Sequence, residues 1–535
     1  LIYQGKDGNM ASFNVITDKW IPTIMIDGTK KVFGIRDLLQ NAKNIKRITS
    51  PGNLPSEEYA IYRFLFAFIT DAYKIRSDQE IEKIYKSGEF DMNAFDQYVE
   101  DAGSIFDVFD EEHPFMQCGI EDAVAYGAKP KSAASFSWGA LSGRTETFFG
   151  SRDLPVTSTY EAAQSLSIPE YISLCINITF MQSAKTSGFP AAVCDNQPPL
   201  WVRLNGRTLF DTLCLNLYPT TENDIPLWRR DEFLWQPTEA PTGWLSLAFL
   251  PTRIIAPYED GLKNGRFYEV LLNECFYRKN SMLTFYKEPR TFYDWWLAKE
   301  PYVIVYHNES PKRKDTQREV SAWRGPSSSE WMHMVEFYGA KLDNAWMERP
   351  RIMEEYEGNE EKGLIKLLPY RPTQVFYKFD LPTQQKKANQ EVFDDFPEID
   401  DWMFDDSKLS VIQRYTAFVR YAMTCVSDAI RTMLYPSAVN TETTAVDDYV
   451  NNWASGLSDY LYQTLIPDLK DINEENEKEH LTKACDAALK HTRETLRSIH
   501  TRDAFVKYEV IGKTGGRLQK YIENEFQNDN RKENS

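Results

Sequence analysis

The spacing of apolar residues changes near residue 405, and this change constrains the fold more than any other feature of the sequence. Beyond that point, apolar residues recur every three or four positions in segments that begin near Val411, Val446 and Leu481, and a fourth segment follows. This spacing places apolar side chains on one face of an α-helix. Four amphipathic helices with connections of moderate length predict a C-terminal four-helix bundle over residues 406–535.

The preceding part of the chain, residues 10–405, consists of short apolar runs punctuated by Pro, Gly and Asn. This punctuation predicts short elements joined by long irregular connections. We expect strands at residues 13–16 and 23–26 and helices over residues 35–40 and 57–73. The predicted fold class is therefore α+β, with a large mixed α/β N-terminal domain that precedes the bundle.

The first nine residues precede Met10 and lack the apolar segment of a secretory signal, so we interpret residues 1–9 as a leader or an expression remnant. No apolar run approaches the roughly 18 residues that a membrane helix needs. Seven scattered cysteines include no CxxC pair, which argues against a zinc ribbon or a redox site. A reduced cytoplasmic location is the expectation.

The composition gives no sign of bulk electrostatic binding, and the motifs give no sign of catalysis. Lys and Arg number 61 and Asp and Glu number 79, a net charge of −18, so the chain is not expected to coat nucleic acid or membrane. Gly512-Lys513-Thr514 resembles the end of a phosphate-binding loop, but the required earlier glycine and strand are missing. The six histidines stand outside metal-ligand spacing. We predict no catalytic residues, no metal and no cofactor.

One local charge asymmetry runs against the acidic average. The last two predicted helices, between Lys483 and Lys520, carry many cations and few acids. Such a basic stripe could follow a phosphate backbone, and a solvated helix face is the alternative interpretation. The backbone-contact candidates are Arg493, Arg497, Lys513 and Arg517.

Several segments resemble those of one family, in the same order along the chain. They are Phe13–Pro22, His113–Gln117, Ser142–Phe149, Arg207–Leu217 and Ala322–Arg324. Together they resemble the large subunit, CasA, of the type I-E CRISPR surveillance complex Cascade. The resemblance extends, in patches, from residue 13 into the C-terminal bundle.

The resemblance implies a DNA-recognition subunit without catalytic activity. The family reads the protospacer-adjacent motif (PAM) in double-stranded DNA, wedges the duplex open beside it, and helps the guide RNA to invade. Such work needs only local contacts and an inserted side chain, which an acidic protein can supply. The implied partners are the other Cascade subunits, the 5′ end of the crRNA, double-stranded target DNA and the helicase-nuclease, with no membrane.

The resemblance also implies which residues touch DNA and RNA. The segment Tyr370–Val375 resembles the loop that carries the family's glutamine wedge, with Gln374 as the wedge and Thr373 and Val375 beside it. A glutamine can satisfy exposed base edges with both a donor and an acceptor. On the residues alone, this segment is a polar turn between apolar strands.

Further residues follow from the same resemblance. Lys263 and Arg266 resemble the PAM-reading cations, and which of the two corresponds stays open. Gly188 is what remains of a glycine-rich loop. The segment that reaches the crRNA end and the neighbouring subunit corresponds to Phe149, Gly150 and Ser151.

An enzyme is the second interpretation. Aromatic residues make up 14% of the chain. They could line the sugar-binding cleft of a soluble carbohydrate-active hydrolase, although packing in the core also explains such residues. The tryptophans in question are Trp228, Trp235, Trp244, Trp295 and Trp296. Activity toward glycans would favour the hydrolase, whereas neighbouring genes for Cascade subunits would favour DNA recognition.

Overall fold

The computed structural model describes most of the chain. The described residues are 12–52, 54–125, 127–132, 166–181, 199–229, 242–249, 253–257, 266–271, 299–307, 320–322, 347–348, 350–352, 364–370, 372–380, 389–393, 406–434, 446, 449–450, 453, 456–457, 476–499 and 504–532. The chain divides into two compact units. The first comprises Leu1–Arg324 and Arg349–Glu398, and the second comprises Gly325–Glu348 and Ile399–Ser535.

The first unit mixes short helices and short strands, as its punctuated sequence predicts. Its helices are α1 (Ile35–Gln40), α2 (Pro55–Ala72), α3 (Asp78–Ser87), α4 (Met92–Ala102), α5 (Ile120–Ala125), α6 (Ile168–Phe180), α7 (Leu209–Leu215), α8 (Trp244–Leu247) and α9 (Leu364–Leu367). The strands, in chain order, are β1 (Ile21–Met25), β2 (Lys30–Phe33), β3 (Ile45–Ile48), β4 (Lys129–Ser132), β5 (Trp201–Asn205), β6 (Arg253–Pro257), β7 (Arg266–Leu271), β8 (Val305–His307), β9 (Val320–Ala322), β10 (Met347–Glu348, in the second unit), β11 (Thr373–Asp380) and β12 (Asn389–Phe393).

The strands of the first unit form small antiparallel sheets. Three sheets have the orders β2-β1-β3, β4-β7-β6 and β12-β11-β5, and β8 pairs with β9. A tight turn joins β1 and β2 in the first sheet, and Gly28 in this turn has φ +83°, a conformation that suits glycine. The strand predicted at residues 23–26 corresponds to β1, which starts two residues earlier and ends at Met25.

The predicted strand at residues 13–16 is wrong. Asn14 makes one isolated bridge to Asp107, and the chain then turns. The Asn14 side chain accepts a hydrogen bond from the Ile16 amide at 2.9 Å, and its carbonyl accepts from the Asp18 amide at 2.8 Å. An asparagine that bonds the backbone two residues later favours a turn over an extended strand.

Helix α2 lies in the core of the first unit. It begins at Pro55, whose fixed φ suits the first helical position, and all but one of its residues from Ser56 onward are buried. It packs against α6, and Arg63 at its centre pairs with Glu300, both fully buried, with Nη2 2.7 Å from Oε2. The helix predicted over residues 57–73 is confirmed, and α1 coincides with the helix predicted over residues 35–40.

The second unit is helical, apart from β10, in the part that the structure describes. Helices α10 (Asp406–Leu434), α11 (Glu477–Ser498) and α12 (Ala504–Lys532) pack on one another, and described residues between 446 and 457 are helical as well. The Trp453 indole is fully buried among them and donates to Thr492 Oγ1 at 2.9 Å. The α+β fold class with a helical C-terminal region is therefore confirmed. Gly512-Lys513-Thr514 lies inside α12.

Candidate nucleic-acid interface

Gln374 lies inside a strand, and the prediction that it belongs to an exposed loop is wrong. It is the second residue of β11, the middle strand of its sheet, and stands opposite Leu204 in β5. Only 5% of the residue is exposed. Thr373 starts the strand, and Val375 is buried. A side chain in this position cannot enter a DNA duplex unless the strand leaves its sheet.

Interactions with α2 hold this part of the sheet in place. The buried guanidinium of Arg203 in β5 lies 3.9 Å from the ring centre of Tyr62, and its Nε donates to the Tyr377 hydroxyl at 3.1 Å. Tyr377 in β11 donates in turn to Glu58 Oε1 at 3.0 Å. Burial raises the pKa of Tyr377 well above its usual value, so the hydroxyl keeps its proton. Tyr377 thus links β11 to both β5 and α2.

The sequence contains a second Pro-Thr-Gln segment, whose glutamine lies outside the strands. The tripeptide Pro372-Thr373-Gln374 recurs as Pro382-Thr383-Gln384. The second copy falls between β11 and β12, which pair in antiparallel fashion from Phe376 opposite Phe393 to Asp380 opposite Asn389. Residues 381–388 therefore connect two antiparallel neighbours, although they lie outside the described residues. The apolar residues after Gln374 favour the prediction that residues 372–374 end a turn. The pairing of β11 with β12 instead places residues 382–384 in the connection between two strands.

The two cations that the resemblance suggested as PAM-reading residues are associated with a second pair of antiparallel strands, β6 and β7. Arg266 is the first residue of β7, opposite Ser132 of β4, and its side chain is not among those described. Lys263 precedes it in the connection between the antiparallel strands β6 and β7 and lies outside the described residues. The other residues that the resemblance suggested, Gly188 and Phe149-Gly150-Ser151, lie outside them too.

The four basic candidates of the second unit are exposed on two adjoining helices. Arg493 and Arg497 belong to α11, and Lys513 and Arg517 belong to α12. Lys513 pairs with Glu509 at 2.5 Å. The guanidinium of Arg517 lies 5.9 Å from the ring centre of Tyr421 in α10, and a hydrogen bond to that tyrosine raises the pKa of Arg517.

These contacts divide the basic stripe into two pairs. Glu509 in α12 partly neutralises the charge of Lys513, and the ring and hydroxyl of Tyr421 in α10 interact with the guanidinium of Arg517. Among the ion pairs formed within the described residues, none includes Arg493 or Arg497 on α11, so the charge of the stripe is least compensated there.

The described part of the chain contains little that could support catalysis. No group of three or more His, Cys, Asp or Glu residues is placed there to hold a metal ion. The described cysteines are buried, and burial raises the pKa of the Cys118 thiol to about 12, which disfavours the reactive thiolate. Trp228 and Trp244 are buried, and their indoles donate to Tyr98 Oη and the Tyr218 carbonyl, so these two do not line a cleft. Among the described helices, none is both long and apolar enough to cross a bilayer.

Solved structures of CRISPR-associated proteins share this fold. A CRISPR-associated protein from Thermus thermophilus aligns with 96% of this chain and 100% of its own, at 18% identity and a TM-score of 0.67. Thermobifida fusca Cse1 aligns with 96% of this chain and 98% of its own, at 17% identity and a TM-score of 0.67. A chain of a CRISPR RNA-guided surveillance complex aligns with 95% of this chain and 99% of its own, at 16% identity and a TM-score of 0.66.

The fold is thus that of the Cse1 structures, and the sequence decides the family. The model of the family "CRISPR-associated protein Cse1" matches residues 14–502. The chain therefore belongs to the Cse1 family, also called CasA, the large subunit of Cascade surveillance complexes. The resemblance noted in the sequence is confirmed. No curated protein matches the chain.

Proposed function

We propose that this chain is the subunit that recognises the PAM in double-stranded DNA within a type I-E surveillance complex. In this role it opens the duplex beside the PAM, helps the guide RNA to form the R-loop, and later docks the helicase-nuclease. Its partners are the other Cascade subunits, the crRNA 5′ end and target DNA, and it has no catalytic activity of its own. The observation that carries the proposal is the family match over residues 14–502.

We assign the duplex wedge to the connection between β11 and β12. Gln374 is buried opposite Leu204 of β5, whereas residues 381–388 connect the paired strands β11 and β12. Gln384 and Gln385 supply two adjacent amides in this connection. Either amide offers a donor and an acceptor to unpaired base edges. Separating a base step costs a few kcal/mol, so a side chain that offsets part of that cost accelerates R-loop initiation.

The hairpin of β6 and β7 supplies the PAM-reading cations in this proposal. Lys263 lies in its connection and Arg266 at the start of β7. Either cation can contact a base edge or a phosphate, at about 1–3 kcal/mol of discrimination for a good base contact. Gly188 remains a proposed site of close approach to DNA, and Phe149-Gly150-Ser151 remains the proposed contact with the crRNA end.

The test compares targets that are paired beside the PAM with targets that are already open there. Gln384→Ala and Gln385→Ala, singly and together, should slow R-loop formation by the reconstituted complex on paired targets and spare the pre-opened ones. Lys263→Ala or Arg266→Ala should instead weaken PAM-dependent capture of intact duplex. R-loop formation rates provide the readout.

A matched control distinguishes the two Pro-Thr-Gln copies. Gln374→Met changes the buried copy while it preserves the volume of the side chain. We expect it to open paired targets at the wild-type rate. If the double variant Gln384→Ala/Gln385→Ala also opens them at that rate, the wedge does not lie in this connection.

A further inference from the structure

The solvent side of the first sheet carries an unusual combination of side chains. The outer N-terminal face consists of the residues of β1 that alternate with its buried ones, together with exposed residues of β2 and β3 beside them. Lys30 of β2 and Arg47 of β3 both stand opposite Ile24 of β1, one on each side, and Val32 stands opposite Pro22. Its members are Pro22, Ile24, Ile26, Lys30, Val32, Lys46 and Arg47.

A β-bulge gives this face one of its cations. Ile24 pairs with Arg47, and the next residue, Met25, pairs with Ile45, so Lys46 is an extra residue in β3. Ile45 and Ile48 are buried, whereas Lys46 and Arg47 are both exposed. An inserted residue re-aims side chains that strict alternation would place on opposite faces. Two adjacent cations therefore leave the sheet on its solvent side.

The charge of this region opposes that of the whole chain. Residues 19–48 contain seven Lys or Arg and two Asp, a net charge of +5 in a chain of −18. None of the ion pairs formed within the described residues includes Lys30, Lys46 or Arg47. Asp27 lies in the β1–β2 turn and accepts hydrogen bonds from Thr29.

An apolar line runs along β1 between the two cationic edges. Pro22 and Ile24 are half-buried, Ile26 is 56% exposed, and Val32 beside them is 42% exposed. An apolar centre with a charged rim is the arrangement of a protein-binding surface. A phosphate backbone would use the cations but would leave the apolar line without a function.

We propose that the outer N-terminal face docks an acidic amphipathic helix from another subunit of the surveillance complex. The outer strands lie about 10 Å apart, close to the diameter of one α-helix with its side chains. The apolar ridge of that helix would follow Pro22, Ile24 and Ile26. Its carboxylates would flank the ridge and meet Lys30 on one side and Lys46 and Arg47 on the other. This proposal rests on membership of the complex that is proposed above.

Site-specific photo-crosslinking tests this docking. Ile26 is replaced by the photoreactive residue p-benzoylphenylalanine in the full chain, which is then assembled with the other subunits and crRNA. Lys31 is the matched control position, because it is exposed on β2 but pairs with the buried Thr23 and so belongs to the other face. We expect a protein adduct from position 26, mapped by mass spectrometry to an acidic helical segment, and none from position 31.

Charge reversal supplies the second arm. The double substitution Lys30→Glu/Arg47→Glu should reduce the yield of the adduct about tenfold at low salt, because like charges would then face each other, whereas Lys31→Glu should not. The mass of the purified complex is measured first. A chain that does not join the complex contradicts the proposed function. A chain that joins but yields no adduct, an adduct only with nucleic acid, or an adduct that charge reversal leaves unchanged overturns the docking proposal.

Discussion

At the scale of single residues, the carboxyl group of Glu57 is an unusual member of the core. Glu57 lies in the first turn of α2, is 6% exposed, and accepts a hydrogen bond from the Gly52 amide at 3.1 Å. Burial raises its pKa to about 7, with the hydrogen bond from the Gly52 amide acting in the opposite direction and the charge of Glu170 adding to the rise. The folded chain therefore holds this proton more tightly than the unfolded chain does.

This difference predicts a pH dependence of stability. The protonated carboxyl stabilises the folded state fully below about pH 4.5, the ordinary pKa, and that contribution is lost as pH rises through about 7. Glu57→Gln cannot ionise. As pH rises from about 4.5 to about 7, its free energy of unfolding should therefore exceed that of wild type by a growing amount, on the order of 3 kcal/mol above pH 7. Thermal unfolding of both proteins from pH 4.5 to 8 measures this difference in stability. The exposed Glu89→Gln is the control, and parallel curves for wild type and Glu57→Gln would contradict the prediction.

At the scale of elements, β11 explains why Gln374 is a structural residue. Its Oε1 is buried and has no hydrogen-bond partner among the described residues. A buried polar atom without a partner costs about 1–3 kcal/mol, whereas an apolar side chain of similar shape avoids that cost. Gln374→Met should therefore leave the melting temperature unchanged or raise it. A marked fall would show that the amide makes a contact that stabilises the sheet.

Close packing between helices of the second unit gives another prediction. A Cβ at Gly456 would overlap the imidazole of His491 in α11, whose Nε2 lies 3.0 Å from the Trp453 carbonyl oxygen. Overpacking of this kind costs about 1–3 kcal/mol. Gly456→Ala should lower the melting temperature, and the added substitution His491→Ala should restore part of the loss. If the two substitutions have additive destabilising effects, the two residues are not in contact.

The sequence predicted some elements well, and the reasons are physical. Helices such as α1, α2 and α11 follow local apolar spacing, which the chain displays directly. Sheet order is not local, and neither is the pairing of Arg63 with Glu300, 237 residues apart. Two copies of Pro-Thr-Gln look alike in the sequence, and only the pairing of β11 with both β12 and β5 separates the buried copy from the hairpin copy.

At the scale of the whole molecule, the proposed function requires an acidic chain to bind DNA through local basic surfaces. The stripe of α11 and α12 is our candidate for such a surface, and within the described residues its charge is least compensated at Arg493 and Arg497. Arg493→Glu/Arg497→Glu should weaken binding of the complex about equally for all targets and flatten its salt dependence, because phosphate contacts carry no sequence information. Lys513→Glu should have a smaller effect. Affinity measured against salt concentration on several PAMs tests this, and a loss confined to one PAM would contradict it.

Under the proposed function, this chain gives its surveillance complex the ability to find and open PAM-bearing duplexes. The most direct measurement is the R-loop formation rate of the complex assembled with and without this chain, on guide-matched targets whose PAM is intact or scrambled. We predict rapid opening only with the chain present and the PAM intact, and recovery without the chain on targets already unpaired beside the PAM. Equal rates with and without the chain on intact duplex would contradict the claim.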